Sequence, residues 1–376
     1  MKISILAPDL SDNSTGRADL LARLLAPRWT VEVVGPRFGS ELWRPSRDGD
    51  VAHRAVAARR YPGFVSDAGR LADLADGDLL VAVKPRPSSF GVALLARRRR
   101  PRPLLLDIDD WELGFFYRAG FWGRVGRALN LADPNGLTWM WLAERSVRRA
   151  DAVTVASRFL EQRFGGALVP HARDTEAWSP ERFPREEARR RLGLTGEKVV
   201  MFLGTPRAHK GVDDLVAAVA TLTPPVRLVL VGTEPASPAG RRWSARPFVT
   251  ALGEVAFADV PRYLAAADAV AVPQRDTADT LGQVPAKLFD AMALARPIVS
   301  TTVSMIPEIL DGCGVLVPPG DVTALASALR RVLERPDEAR ALGRRARERC
   351  EARFSFRAAR AVLFPLVERL LGGVGR

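Results

Sequence analysis

The chain has 376 residues, of which 47% are hydrophobic, and a formal net charge of +13. This length and composition predict a globular protein with two domains. No apolar run reaches the roughly 18 residues of a membrane-spanning helix, and the first residues lack a signal-peptide pattern. Two cysteines, Cys313 and Cys350, are too few for a disulfide framework or a zinc site. We therefore expect a cytoplasmic protein without a structural metal.

Strands and helices alternate in the first half, which is typical of a doubly wound α/β sheet. Strands are predicted at 2–7, 30–34, 78–83, 104–108, 152–156 and 168–169, and helices at 18–25, 88–97 and 136–149. Segment 36–65 is rich in proline, glycine and arginine and is predicted to be irregular. The loop 8–17 contains Gly16 but no G-x-G-x-x-G run, so a dinucleotide fingerprint is absent.

The alternation stops at 171–184, which we interpret as a linker, and starts again at 199. Strands are predicted at 199–203, 226–231, 248–252, 269–272, 297–300 and 315–317, and helices at 210–221, 259–267, 284–295, 322–333, 336–351 and 356–371. We therefore predict two Rossmann-like domains. The first comprises residues 1–178 plus the C-terminal helix 356–376, and the second comprises residues 179–355.

The segment GQVPAKLFDAMALARPIV, residues 282–299, predicts an anion site. Pro285 suits the first position of a helix, and the amides of Ala286, Lys287 and Leu288 then lack partners inside that helix. Lys287 and Asp290 are three residues apart and share a face. A cation, a carboxylate and free amides suit a ligand with phosphates and hydroxyls, such as a nucleotide sugar. The alternative is a surface helix with a chance ion pair.

Charged or glycine-containing loops also follow three other strands of the second half. LGTPRAHKG, residues 203–211, contains Gly204, Arg207 and Lys210, and two cations at a strand's carboxyl end suit a diphosphate. The loops at Gly232 and Glu254 lie at equivalent positions, and Glu254 or the backbone of Val255 could meet a nucleoside base. The alternative for 203–211 is a solvated basic loop.

The first half contains a basic run, RRRRPRP at 97–103, followed by aromatic residues at 111–122 and by Trp139 and Trp141. A solvated helix end and a packed core are the simplest interpretations. Together the two stretches also suit peripheral contact with a membrane surface.

The second half resembles the family 4 glycosyltransferases of the GT-B fold over about residues 170–350. The resemblance rests on six segments in order: VPHARDTEAWSP (169–180), FLGTPRAHKGVDDLVAAV (202–219), VRLVLVGTEP (226–235), LGEVAFADVPRYLAAADAVAVP (252–273), PAKLFDAMALARPIVST (285–301) and PEILDGCGVLVPPGD (307–321). It implies two Rossmann-like domains facing across a cleft, an acceptor domain first and a donor domain second. It also implies a final helix that crosses back to the first domain.

The activity that this resemblance implies is transfer of a sugar from a UDP- or GDP-linked donor, with retention and without a metal or other cofactor. The family's diphosphate-contacting pair falls on Arg207 and Lys210, and the second acid of its Glu–seven residues–Glu motif falls on Asp290. The candidate catalytic residues are Arg207, Lys210 and Asp109. The candidate donor-binding residues are Gly16, Gly204, Gly232, Glu254, Val255, Gln283, Val284, Lys287 and Asp290, and the candidate acceptor residues are Lys84, Asp110 and Trp111.

Two positions depart from the family pattern. The first acid of the motif, which meets donor-sugar hydroxyls, falls on Gly282; Asp279 or Gln283 could substitute for it. The second acid is Asp290, one methylene shorter than glutamate, in the variant Pro-x-Lys-Leu-Phe-Asp.

Asp107-Ile108-Asp109 is formally a D-x-D, with which transferases of the single-domain GT-A type hold a divalent cation. The rest of the chain does not fit that fold. We therefore favour helix capping or acceptor contact for Asp109 and Asp110.

The predicted function is a retaining glycosyltransferase of cell-envelope polysaccharide, glycolipid or secondary-metabolite synthesis. Its partners would be a nucleotide sugar and a sugar, lipid-linked or small-molecule acceptor, not a nucleic acid. A nucleotide-sugar epimerase or phosphorylase, and a catalytically silent binding protein, remain as alternatives. The sequence does not name the donor, the acceptor or the oligomeric state.

Overall fold

The computed structural model of the chain describes residues 1–47, 49–117, 121–223, 226–277, 280 and 282–373. The chain divides into two compact units. The first unit contains Met1–His171, a short segment with Gly282 and Gln283, and the C-terminal residues from Ala359; the second contains Ala172–Thr280 and Val284–Ala358. The chain first crosses from the first unit to the second between His171 and Ala172. The boundary predicted from the sequence lies a few residues later, at 178–179.

The first unit contains a seven-stranded parallel sheet in the order β3-β2-β1-β4-β5-β6-β7. Its strands are β1 (Lys2–Leu6), β2 (Thr30–Arg37), β3 (His53–Ala57), β4 (Leu79–Val83), β5 (Leu104–Ile108), β6 (Ala152–Val155) and β7 (Ala167–Leu168). Its helices are α1 (Thr15–Leu25), α2 (Arg44–Arg47), α3 (Phe64–Leu74), α4 (Val92–Arg99), α5 (Gly114–Tyr117), α6 (Phe121–Leu129), α7 (Leu137–Arg145) and α8 (Arg158–Phe164). β4 is buried along its whole length, as its unbroken apolar run LLVAV predicts. β5 is equally buried, although its sequence LLLDI contains Asp107.

The prediction of an irregular segment at 36–65 is wrong. This segment contains the end of β2, then α2, β3 and the start of α3. β3 is an edge strand that pairs only with β2, from His53 opposite Val33 onward, so its sequence HRAVA lacks the apolar run of a central strand. Helix α1 also begins earlier than predicted, which places Gly16 in its first turn rather than in the preceding loop.

The second unit contains a six-stranded parallel sheet in the order β10-β9-β8-β11-β12-β13. Its strands are β8 (Lys198–Leu203), β9 (Val226–Val231), β10 (Val249–Leu252), β11 (Ala269–Val272), β12 (Ile298–Thr301) and β13 (Val315–Val317). Its helices are α9 (Arg185–Arg191), α10 (Val212–Val219), α11 (Pro238–Ser244), α12 (Val260–Leu264), α13 (Lys287–Ala293), α14 (Ile306–Leu310), α15 (Val322–Glu334) and α16 (Pro336–Arg353). The sequence analysis did not assign α9, α11 or α14, which are only five to seven residues long.

Two hydrophobic cores stabilise the second sheet. Met201 and Val229 pack into one core, whereas Val200 and Leu228 pack into the other. Successive side chains of a strand point to opposite faces, so the sheet is covered on both faces, as a doubly wound fold requires.

The C-terminal helix α17 (Phe356–Gly372) begins in the second unit and continues in the first. In the first unit, the ring of Phe364 meets that of Trp29 edge-on, with 5.1 Å between ring centroids. Arg360 Nε donates a hydrogen bond to the carbonyl of Leu24 at 3.0 Å. These contacts confirm that the final helix returns to the first domain.

Within the described ranges, every helix is too short or too polar to cross a bilayer.

Candidate functional site

The loop after β8 lies where the strand order of the six-stranded sheet reverses, because β8 has β9 on one side and β11 on the other. The loops after β8 and β11 touch: the amide of Arg275 donates to the carbonyl of His209 at 2.8 Å. Gly211, with a φ of 64°, lies so close that any Cβ there would overlap the carbonyl oxygen of Pro273. In open α/β sheets, this reversal point is where ligands bind.

Two lysine ammonium groups converge on the backbone of Gly204, which follows β8 with a φ of 117°. A Cβ at Gly204 would lie 2.5 Å from Nζ of Lys287 and 3.8 Å from Nζ of Lys210. The Lys287 ammonium also lies 5.5 Å from the centroid of the Phe202 ring, a cation–π distance. Gly232 packs on Gly204, since a Cβ at Gly232 would lie 2.9 Å from the carbonyl carbon of Gly204. The bare backbone at this point therefore leaves room for the two cations.

Arg207 contributes a third positive charge. Its side chain is exposed, immediately before the 3₁₀ turn Ala208–Lys210. Burial lowers the pKa of Lys287; a hydrogen bond with Lys210 and the charge of Asp290 oppose this shift, and the charge of Arg207 adds to it. The structure thus brings together the four charged residues that the sequence analysis placed at the donor phosphates and ribose.

The predicted helix start is partly wrong. Helix α13 begins at Lys287, and the amide of Leu288 donates to the carbonyl of Pro285 at 3.0 Å. Within the described chain, only the amides of Ala286 and Lys287 there lack a backbone acceptor. Since α13 has only seven residues, the side-chain cations dominate the positive charge of this site.

Asp290 is buried and forms an ion pair with Arg173, whose Nε donates to Oδ1. Arg173 is itself buried, and it also donates to the carbonyls of Ala172 at 2.7 Å and Ala286 at 3.3 Å. Arg173 therefore fixes the Asp290 carboxylate relative to the start of α13. The sequence analysis did not identify Arg173, although it precedes Asp174 within the quoted segment 169–180.

Three further candidates differ in exposure. Glu254 is exposed after β10, and Val255 is half-buried against a hydrophobic core. Val284 is buried in the same core, so only its backbone can meet a ligand.

Gly282 lies against an aromatic ring. Its φ is 74°, and a Cβ at this position would lie 2.4 Å from Cδ1 of Phe159. An acidic side chain at this position would therefore need the Phe159 ring to move. Gln283 is half-buried beside it, and Asp279 lies outside the described residues.

In the first unit, Arg17 and Asp107 form a fully buried, bidentate ion pair. Nε and Nη2 of Arg17 donate to the two carboxylate oxygens of Asp107, both at 2.8 Å. Thr154 Oγ1 donates to the same carboxylate at 2.7 Å, and Arg17 Nη2 also donates to the carbonyl of Val169. The pair joins α1 to the carboxyl ends of β5 and β6. The sequence analysis did not find Arg17, since only its position after Gly16 distinguishes it from other arginines.

Lys84 lies at the centre of a second charged network. Its Nζ is 3.2 Å from Asp109 Oδ1, 2.6 Å from Asp110 Oδ2 and 2.8 Å from Glu112 Oε1. Arg86 donates two hydrogen bonds to Oε2 of Glu112, at 2.9 and 2.6 Å. Lys84 adopts a left-handed φ of 65°, which costs about 1–3 kcal/mol and is typical of functional sites. Because Lys84 is buried by its partners, it positions Asp110 and does not itself present a free ammonium group.

The network changes the pKa values of its members. Burial acts to lower the pKa of Lys84, but Asp109, Asp110 and Glu112 outweigh it and raise that pKa well above the ordinary value. Burial raises the pKa of Asp109 to about 6; Lys84 opposes this shift and Asp110 adds to it. Asp109 is therefore the member of the network that titrates near neutrality.

The D-x-D interpretation does not agree with these contacts. The carboxylate of Asp107 is taken by Arg17 and that of Asp109 by Lys84. Within the part of the chain that the structure describes, no group of three or more histidine, cysteine, aspartate or glutamate side chains is arranged to hold a metal ion.

Trp111 stacks beside the same loop. Its ring centroid lies 5.8 Å from that of Phe159, and the guanidinium of Arg163 lies 4.6 Å from the Trp111 centroid. Gly16 lies apart from this stack, with Cζ3 of Trp43 3.3 Å from the position of a Cβ.

We expect Gly204→Ala to weaken anion binding and, because its φ of 117° strains any side chain, also to lower stability. The new methyl would displace the Lys287 ammonium, which ends a flexible side chain and can swing away. Losing one charge-assisted contact corresponds to roughly tenfold weaker binding, measurable with pyrophosphate by calorimetry. Gly320→Ala is the matched control, because Gly320 also has a positive φ, 77°, but nothing within 4 Å of its Cβ position. Equal loss of binding in both variants would contradict the assignment.

We expect Asp109 to make folding stability depend on pH between about 4 and 6. Its raised pKa means that the folded state binds more protons than the unfolded state in this range. Its contribution is therefore most favourable below pH 4 and is lost as the pH rises through 6. We expect the free energy of unfolding of Asp109→Asn to decline over this pH range by about 1–3 kcal/mol less than that of the unmodified chain. Asp337→Asn, at an exposed carboxylate, should follow the unmodified chain; a parallel curve for Asp109→Asn would refute the shift.

In comparison with known proteins, a family model described as "Glycosyl transferases group 1" matches residues 197–335. The chain is 29% identical over 245 residues to an alpha-D-kanosaminyltransferase of Streptomyces kanamyceticus, covering 58% of this chain and 60% of that protein. It is 27% identical over 358 residues to a GDP-mannose-dependent alpha-(1-6)-phosphatidylinositol monomannoside mannosyltransferase of Mycobacterium tuberculosis, covering 84% of this chain and 87% of that protein. The chain thus spans only about three fifths of the length of the first relative.

Solved structures support the fold. The Anabaena protein HepE in complex with UDP and glucose superposes with a TM-score of 0.73 and 18% identity, covering 98% of this chain and 99% of that one. With the two parallel sheets, this likeness confirms the GT-B fold that the motifs predict. The family match over residues 197–335 and the named relatives support a glycosyltransferase as the class of enzyme.

Proposed function

We propose that the chain is a retaining, metal-independent glycosyltransferase that moves a sugar from a nucleotide-diphosphate sugar to an acceptor hydroxyl. The observation that carries this proposal is the convergence of Lys287 and Lys210 on Gly204, beside Arg207. A half-buried ammonium group among like charges is unfavourable until an anion joins it. A diphosphate at the reversal point of the sheet would supply that charge.

The donor class draws on the names of similar proteins. The mycobacterial relative is named as GDP-mannose-dependent, and the Anabaena structure contains UDP and glucose. We therefore propose a UDP- or GDP-linked sugar. The relatives' names also favour a glycolipid or secondary-metabolite product, with cell-envelope polysaccharide as the third possibility from the sequence.

Metal independence is proposed because the side chains can supply the charge that a divalent cation supplies elsewhere. Arg207, Lys210 and Lys287 together place three positive groups where the diphosphate would lie. The acidic residues that could hold a metal, Asp107 and Asp109, are instead engaged by cations of the first unit. Charge that develops on the leaving diphosphate would then be stabilised by preorganised cations.

Retention fits a mechanism in which the acceptor hydroxyl approaches on the face that the diphosphate leaves. The sugar–phosphate bond breaks, the acceptor oxygen bonds to the anomeric carbon, and the departing phosphate oxygen takes the acceptor's proton. No protein base needs to hold that proton. Catalysis would then depend on orientation and on electrostatic stabilisation.

Asp290 and Asp110 are the proposed contacts for hydroxyl groups of the two substrates. Arg173 takes Oδ1 of Asp290, and Oδ2 accepts no hydrogen bond from the described residues, so it could accept one from the donor ribose. Asp110 is the most exposed carboxylate around Lys84, which suits contact with an acceptor.

A catalytically silent nucleotide-sugar-binding protein is the second candidate. Gly282 favours it, because Phe159 occupies the place where the motif's first acid would extend. Release of nucleoside diphosphate that depends on an added acceptor separates the two candidates, since a binding protein releases none.

We expect Arg207→Ala and Lys210→Ala each to raise the barrier of sugar transfer by about 2–4 kcal/mol. The reason is loss of one cation from the leaving diphosphate. The measurement is kcat/KM for release of nucleoside diphosphate, with Arg246→Ala as the control, since Arg246 is an exposed arginine of the same unit. Near-normal turnover in either site variant would overturn the proposal.

We expect affinity for a nucleoside diphosphate to fall as the pH rises above the lowered pKa of Lys287. The free protein loses the Lys287 proton at lower pH than an ordinary lysine would, whereas a bound anion stabilises the protonated form. Titration calorimetry of UDP and GDP across alkaline pH should show this decline and proton uptake on binding. Lys287→Arg should flatten the profile, because arginine stays charged. A profile that is unchanged in Lys287→Arg would exclude Lys287 as its cause.

A further inference from the structure

The end of helix α6, the turn that follows it and helix α7 present apolar side chains to solvent. The exposed fractions are 74% for Leu129, 50% for Leu131, 42% for Trp141 and 44% for Leu142. These four account for more than half of the strongly exposed large hydrophobic residues in the described chain. With Arg145 and Arg148, they form what we call the α6–α7 surface.

Hydrogen bonds hold the two helices together. Thr138 Oγ1 donates to the carbonyl of Ala128 at 2.7 Å, and Trp139 Nε1 donates to the carbonyl of Leu131 at 3.0 Å. The Trp139 ring also contacts that of Tyr61, with 5.0 Å between centroids. The apolar side chains are therefore carried on a packed element.

The two faces of α7 differ sharply. Met140 and Ala143 are buried and anchor the inner face. Trp141 and Arg145 are four residues apart and share the outer face, and Arg148 follows one helical turn later. The outer face is thus apolar at its start and cationic at its end, which is typical of elements that lie in a membrane interface.

The arginines of this surface have little compensating charge. The single acid in the sequence of α7, Glu144, is taken by Arg163 at 2.7 Å. Arg145 stacks on Trp141 at 3.7 Å from the ring centroid. In the described ranges, neither Arg145 nor Arg148 lies within ion-pair distance of a carboxylate.

The arginine run at 97–103 differs from the α6–α7 surface. Arg97, Arg99 and Arg100 form ion pairs with Asp151, Asp73 and Asp78, respectively. Arg102 donates to the carbonyls of Ala75 and Gly77. Most of the run is therefore held by neighbouring elements of the first unit, and we do not base the proposal below on it.

We propose that the α6–α7 surface docks the protein on a bilayer that contains anionic lipids. Leu129, Leu131, Trp141 and Leu142 would enter the headgroup region, and Arg145 and Arg148 would meet lipid phosphates. A second copy of this chain fits less well, because a two-fold contact would bring the same uncompensated arginines together. This proposal is independent of the donor assignment.

The test is co-sedimentation of the full chain with vesicles. Phosphatidylcholine vesicles that contain phosphatidylglycerol should bind the protein, and pure phosphatidylcholine vesicles should bind it much less. Trp141→Ser with Leu142→Ser should weaken binding to anionic vesicles by at least about tenfold, from lost apolar burial. Arg145→Glu with Arg148→Glu should weaken it by roughly fivefold per removed arginine, and added salt should do the same.

Matched controls are Val65→Ser and Arg98→Glu, an exposed apolar and an exposed cationic residue elsewhere in the first unit. Both should bind vesicles as the unmodified chain does. Circular dichroism and thermal unfolding confirm that each variant is folded. The proposal fails if the unmodified chain stays in the supernatant with anionic vesicles, or if the α6–α7 variants bind as the controls do. Sedimentation velocity showing a dimer that Trp141→Ser with Leu142→Ser abolishes would instead identify a second copy as the occupant.

Discussion

The close approach of like charges at the end of β8 is the constraint on which the second unit's site depends. Two unit charges 4 Å apart repel by about 4 kcal/mol at an effective dielectric constant near 20, and burial of Lys287 adds a further cost. The absence of a side chain at Gly204 leaves room for the ammonium groups, and the ring of Phe202 stabilises that of Lys287 through a cation–π contact. Asp290 offers only partial compensation, because Arg173 already takes one of its oxygens. An anion that joined the cluster would reverse the sign of these terms, which is the physical reason for proposing a diphosphate ligand and not a neutral one.

The first unit uses the corresponding edge of its sheet differently. There, Lys84 is surrounded by carboxylates and Arg17 is paired with Asp107. Each buried cation therefore has a partner, and no surplus of positive charge awaits an anion. Such a network rigidifies the strand ends and orients the carboxylate of Asp110. The strand ends of the two sheets thus carry clusters of different electrostatic character: cations in excess near Gly204, and cations paired with carboxylates around Lys84.

Most of the strands and long helices could be predicted from the sequence, because buried parallel strands and amphipathic helices have clear apolar patterns. The edge strand β3 and the short helices α11 and α14 could not, since exposed or short elements lack that pattern. Lys210 and Lys287 could be selected because each follows a recognisable strand end or helix start.

The partners of these residues were harder to find. Arg17 and Arg173 are two of many arginines in the chain, and only tertiary contacts with Asp107 and Asp290 distinguish them. The contacts of Lys84 with three carboxylates could not be predicted from the sequence either, because Lys84 follows β4 and those carboxylates follow β5. Pairings across sequence separations of this size depend on the fold and not on local pattern.

The two positions that depart from the pattern of the resembled glycosyltransferases, Gly282 and Asp290, lie in different local environments. At Gly282, the positive φ and the ring of Phe159 exclude an acidic side chain. At Asp290, the shorter side chain is held by Arg173. Asp290 still acts on the cations near Gly204, because its charge opposes the lowering of the Lys287 pKa. Under the proposed function, a nucleotide diphosphate beside Gly204 would meet those cations, and its sugar would be selected by other groups, such as the backbone near Gln283.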